Sequence, residues 1–202
     1  SQVKVVWVKF ALCFLALLVI MFGAFVRLTN AGLGCPDWPG CYGSLIVDSA
    51  QPGIDSYEGF DVGKAWREMI HRYLAAILGL GIFGIALRSW CSKSSIRAFS
   101  IETLLVPLVL FQAILGMFTV TWLLKPLVVT AHLLGGLAVL SLLWWSVLEE
   151  LSERNVIDSS SSLKVLGCIS FVVLFFQMFL GGWTSTNYAA LACTDFPTCQ
   201  GV

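Results

Sequence analysis

The chemistry this sequence could do rests on two histidines, one carboxylate and two cysteine pairs. His71 and His132 are the only histidines in the 202 residues. An imidazole works near neutral pH either as an acid–base group or as a metal ligand. Glu68 stands three residues before His71, so on a helix both side chains leave one face, and a carboxylate there could take up and return protons. Five residues separate Cys35 from Cys41, and five separate Cys193 from Cys199. That spacing suits a structural disulfide, a redox-active pair or part of a metal site. A metal is disfavoured because no histidine is near and a tetrahedral site needs four ligands. Prolines at 36, 39 and 197 favour turns that bring each pair together, and such a short crosslink would contribute about 2.4 kcal/mol. Cys13, Cys91 and Cys168 read as core or neutral residues.

The elements that position these groups follow from composition. The chain is 58% hydrophobic and 12% charged, with a mean hydropathy of +0.87. A soluble domain could not cover that surface with polar groups, so the expectation is an all-α integral membrane protein. The formal charge of zero gives no sign of a nucleic-acid partner. Five apolar segments are predicted as membrane helices: Phe10–Val26, Trp66–Leu87, Thr103–Leu124 with Pro107 as a kink, Leu127–Leu148 and Val165–Thr184. A cleaved leader is disfavoured for the first, since no small-residue cleavage site follows it cleanly. Apolar runs near 20 residues without alternation exclude a membrane β-barrel. A long loop, Leu28–Arg67, follows the first helix, and Lys125-Pro126 makes a tight turn. Lys4 and Lys9 before the first helix, and Arg88, Lys93 and Arg97 after the second, place the amino terminus inside and the cysteine loops outside.

An internal repeat organises these elements. At a constant offset of 158, Gly23 falls on Gly181, Leu33 on Leu191, Cys35 on Cys193 and Asp37 on Asp195. Pro39, Cys41 and Gly43 fall on Pro197, Cys199 and Gly201, and Trp38 meets Phe196. The motif follows helix one and returns after helix five, on the same side of the membrane, so the unit is four helices repeated in parallel. Residues 1–150 then form the first unit, 151–164 an inner linker, and 165–202 the first helix and cysteine loop of a second unit. Eight helices are expected in the full protein, with further histidines near positions 229 and 290.

Helices two and four run in the same direction. His71 lies 17 residues before Arg88 and His132 lies 17 before Glu149, so both sit about 25 Å from the inner boundary. Two imidazoles at one depth can hold both axial positions of a haem iron. Ala75, Gly79, Gly135 and Gly136 leave room for a flat ring, although small residues also serve ordinary helix packing in membranes. Glu68 would lie beside the ring. Arg27 and Arg72, near the outer boundary, could pair with propionates or simply snorkel to water.

RLTNAGLGCPDWPGCYG, EMIHRY, AHLLGG and GGWTSTNYAALACTDFPTC together resemble the haem A synthase family. The resemblance covers nearly the whole chain. It implies an eight-helix enzyme of two four-helix halves that oxidises the C8 methyl of haem O to a formyl group, by two hydroxylations and loss of water, giving haem A for terminal oxidases. It further implies His71 and His132 as ligands of the haem being oxidised, Glu68 as a catalytic group, and disulfides Cys35–Cys41 and Cys193–Cys199. A haem b cofactor would sit mostly outside these residues. Partners would be a haem O-producing enzyme, an electron donor and, in a homo-oligomer, further copies. The location would be a bacterial plasma membrane or the mitochondrial inner membrane. The competing readings are a bis-histidine electron-transfer cytochrome and a membrane thiol oxidoreductase. Against the last, the spacing is C-x5-C rather than C-x-x-C.

Overall fold

A computed structural model describes residues 2–48, 60–91, 100–151 and 160–190, together with 192, 193, 195, 198 and 199. It contains five helices: α1 (Gln2–Leu28), α2 (Val62–Cys91), α3 (Ile101–Thr121), α4 (Pro126–Leu151) and α5 (Ser161–Thr186). All five are long and apolar enough to cross a membrane, and no strand occurs among the described residues beyond one isolated bridge, Cys41 to Ser44. The protein is a multi-pass, all-α membrane protein.

The first four helices form a ring. Neighbours in sequence touch, α4 closes on α1, and α5 packs along α4. The lipid-facing surface is rich in exposed Leu, Ile, Val and Phe, as a hydrocarbon solvent requires. Exposed tryptophans mark its boundaries: Trp7, Trp90, Trp144 and Trp145 lie at one end of the bundle, Trp122 and Trp183 at the other. Indoles gather at both membrane–water interfaces for their mixed polarity.

The helix ends differ from the apolar runs for local reasons. α2 begins at Val62 because Asp61 caps it, accepting from the Lys64 N–H at 3.0 Å. That bond holds the Asp61 carboxyl below the usual carboxylate range. α3 stops at Thr121 rather than Leu124. Leu123 and Leu124 take left-handed conformations (φ 52° and 56°), and the Leu124 N–H turns back to the Thr119 carbonyl at 2.8 Å, which closes the last turn. Pro126 is the first residue of α4, where its missing N–H costs nothing, and Pro107 lies inside an unbroken α3. Lys93 and Arg97, and the repeat positions Leu191, Phe196, Pro197 and Gly201, lie outside the described residues.

Two hydrophobic clusters bracket the bundle. One fills the half far from the cysteine loop, with Leu12, Ala16, Ile82, Leu105, Leu143 and Val147 drawn from all four helices. The other lies under the first cysteine loop and joins Cys35, Cys41 and Val47 to Ala65 and Met69 of α2. The histidines belong to neither and lie between them.

Candidate functional site

His71 is the tenth residue of α2 and His132 the seventh of α4. Both helices start at the loop end, so both imidazoles sit roughly 10–15 Å into the bundle from there. Each ring rests on a glycine of a neighbouring helix. A Cβ built on Gly23 of α1 would lie 2.9 Å from His71 Cε1, and one on Gly116 of α3 would lie 3.5 Å from His132 Cε1. The Nδ1 atoms of both rings are buried and make no well-formed hydrogen bond among the described residues, although the Gln112 backbone lies near the His132 ring. A buried polar atom left unpaired costs about 1–3 kcal/mol, and the cost persists only where something else rewards it. Two imidazoles on like-directed helices, each against a glycine of a neighbouring helix, are a donor set that fits an iron-centred planar ligand.

The other groups expected at the site are placed differently. Glu68 is 5% exposed, and its carboxylate is turned toward the cysteine loop. Oε2 accepts from the Cys35 N–H at 3.0 Å and Oε1 pairs with Arg72 Nη2 at 2.6 Å. Arg72 Nη1 also donates to the carbonyls of Asp37 (3.0 Å), Pro39 (3.2 Å) and Gly40. One guanidinium thus gathers three loop carbonyls and a carboxylate, a use that the planar fork of five donors allows. Arg27 Nη2 donates to the Ser185 carbonyl at 2.8 Å, and its guanidinium lies 4.1 Å over the Tyr188 ring.

The loop itself is built tightly onto α2. Cys35 and Cys41 are bonded with Cα atoms 4.8 Å apart, and Cys193 and Cys199 with Cα atoms 4.7 Å apart. Asp37 accepts from the Tyr42 and Gly43 N–H groups at 2.7 and 2.8 Å. Gly34 is required by close approach, since a Cβ there would lie 2.6 Å from the Lys64 carbonyl carbon. Cys13, Cys91 and Cys168 are free, the first buried and the others exposed. Of the small residues singled out in sequence, Gly135 packs against the Gln112 side chain, Gly79 against Val109 and Gly136 against Ile20.

A family model described as cytochrome oxidase assembly protein matches residues 6–202. The chain belongs to the cytochrome oxidase assembly protein family. Members similar to it include a heme A synthase of Shewanella oneidensis, 43% identical over 193 residues, covering 92% of this chain and 58% of that protein. A heme A synthase of Halalkalibacterium halodurans is 28% identical over 192 residues, covering 91% of this chain and 60% of that protein. One of Rickettsia prowazekii is 26% identical over 213 residues, covering 93% of this chain and 64% of that protein. The chain therefore spans about three-fifths of the length of these family members.

Sequence reading missed two polar features of this family member. Gln112 of α3 carries a buried, unpartnered Nε2 and lies against Gly135. The signal was present: an amide inside an apolar span, in a hexamer FQAILG (111–116) that returns as FQMFLG (176–181). The second is Lys9, 4% exposed, which pairs with Glu102 at 2.8 Å and Glu150 at 3.2 Å. No local spacing announces that cluster.

Proposed function

We propose that this chain is the part of a heme A synthase that holds the haem undergoing oxidation, converting the methyl group of haem O to the formyl group of haem A. The carrying observation is the pair of imidazoles with buried Nδ1 atoms, on like-directed α2 and α4, each against a glycine of a neighbouring helix. Family membership and the names of the similar proteins support the reading. A haem bound there would supply both the iron and the methyl group to be oxidised. Replacing two C–H bonds of that methyl by C=O takes up one oxygen atom and releases four electrons, so an oxygen source (water or dioxygen) and an electron acceptor are needed as further reactants. His71 and His132 are the residues that would hold the haem iron between α2 and α4. The lack of a side chain at Gly23 and Gly116 makes room for the imidazoles. The two hydrophobic clusters exclude water from either end, which limits side reactions. Glu68, one helical turn before His71, would be the carboxylate to take up and return a proton on turning away from Arg72 and the Cys35 N–H, while Arg27, with one of its five donors used on Ser185, remains a candidate for a propionate. A resident haem b would sit mostly in the length that the relatives have and this chain does not. In this reading the loop end faces the outside of a bacterial plasma membrane.

An electron-transfer cytochrome is the second reading, favoured by the engagement of both Glu68 oxygens with loop and arginine. The test uses the full-length protein, purified with bound haem and supplied with haem O. His71→Ala and His132→Ala should each abolish the low-spin bis-histidine absorption of this site, and haem A formation should fall to background. Retention of an unchanged spectrum by both variants would refute the ligand assignment. A wild-type protein that binds haem O but never yields haem A would favour the carrier.

A further inference from the structure

Gln112 is a costly residue to place in α3, where its neighbours from Leu104 to Phe118 are apolar or glycine. An amide carries two donors and an acceptor oxygen, and hydrocarbon offers nothing to meet them. Its Nε2 is fully buried and has no partner among the described residues. The side chain lies directly on Gly135, where an added Cβ would take the place of the amide nitrogen. Gly135 follows His132 by one helical turn. Gly116, one turn further along α3 than Gln112, is the residue on which the His132 ring rests. The amide therefore lies beside the histidine site, displaced by one turn away from the cysteine loop, and the glycine at 135 makes room for it.

The chemistry of the donor narrows what it meets. A neutral amide in an apolar setting suits an uncharged acceptor oxygen; anionic propionates are better met by guanidinium groups, and Arg27, Arg67 and Arg72 lie at the loop end. Resting on the haem reading above, we propose that Gln112 donates from Nε2 to the oxygen on the oxidised rim carbon of the haem. The methyl of the unoxidised substrate offers no acceptor, so the contact forms only once oxygen is in place. Gln112 is thus a binding residue selective for the oxygenated ring.

The test measures loss of haem from the full-length protein to an excess of a soluble haem-scavenging protein, for haem O and haem A separately. Gln112→Met keeps side-chain length and removes the donor. It should speed loss of haem A about five-fold, the worth of one ordinary hydrogen bond, and leave haem O loss unchanged. Gly135→Ala should give the same selective effect by displacing the amide, and it carries the test if Gln112→Met does not fold. Equal acceleration for both haems would mean a packing defect or a contact to an oxygen the two share, and either overturns the proposal. Unchanged rates for both haems would also overturn it. His71→Ala and His132→Ala separate the two levels of inference: if they lose haem as expected while Gln112→Met shows no selectivity, the site stands and the rim contact falls. If they retain haem, the site itself is wrong.

Discussion

Glu68 lies three residues before His71, yet both its oxygens are satisfied on the other side, by the Cys35 N–H and Arg72. Sequence spacing placed this carboxylate on the histidine face and could not show that the loop 33 residues earlier would fold back onto it. The two roles separate by substitution. Glu68→Gln retains a carbonyl oxygen that accepts from Cys35 or Arg72 and removes the proton-holding carboxylate. Haem content should hold while haem A formation falls about 10²–10⁴-fold. Arg72→Met instead leaves Glu68 buried beside one N–H and frees three loop carbonyls, and losing one member of a buried pair costs about 3–5 kcal/mol. Its expected signature is structural: Cys35–Cys41 should be reduced by a phosphine at least about ten-fold faster, with Cys193–Cys199 unchanged. If Glu68→Gln speeds reduction as much as Arg72→Met and leaves turnover intact, Glu68 is only a loop clamp.

The helices were legible as elements because a membrane span has to be long and predominantly apolar, and five stretches met that demand. Their ends were less legible, since Asp61 and the left-handed Leu123 and Leu124 act through backbone bonds that hydropathy does not register. Least legible was what joins them. Lys9 reads in sequence as a cation that orients the chain, but its ammonium is buried among α1, α3 and α4, paired with Glu102 and Glu150 and donating to the Ser146 carbonyl at 3.2 Å. The partners are 93 and 141 positions away, and no pattern links such distances. The cluster ties three helices at the end far from the cysteine loop, beside the larger hydrophobic cluster. Lys9→Met would strand the Glu102 carboxylate, a loss of about 3–5 kcal/mol, seen as a lower unfolding temperature in detergent. Lys9→Met combined with Glu102→Gln should recover most of that loss, because it removes the unpaired charge. A double variant as unstable as the single would mean that Lys9 acts through packing of its stem.

At the scale of the molecule, the repeat read from cysteine spacing reappears as geometry. α1 closes with Asn30 at φ 51° and the Ala31 N–H on the Val26 carbonyl; α5 closes with Tyr188 at φ 55° and the Ala189 N–H on the Thr184 carbonyl. Each partner in one cap stands 158 residues from its counterpart in the other. The contacts between the caps keep the same interval: Arg27 meets Ser185, and Tyr188 Oη lies 3.5 Å from Asn30 Oδ1, both pairs separated by 158. Equivalent residues touching each other is what a local two-fold axis between two copies produces, and here it would run beside the ends of α1 and α5. The sequence could supply the period but not this meeting, because α1 and α5 share no other packing and each leans on α4. The junction therefore rests on a few polar contacts. Arg27→Leu removes a charged hydrogen bond of about 1.5–3 kcal/mol and an aromatic contact of about 0.5–1 kcal/mol. The last turn of α5 should then exchange its amide hydrogens roughly ten-fold faster or more, while α2 and α3 keep their protection. Tyr188→Phe keeps the ring under the guanidinium and should change exchange far less. If Arg27→Leu leaves the α5 terminus as protected as before, the two caps are held by α4 alone and their contact is incidental.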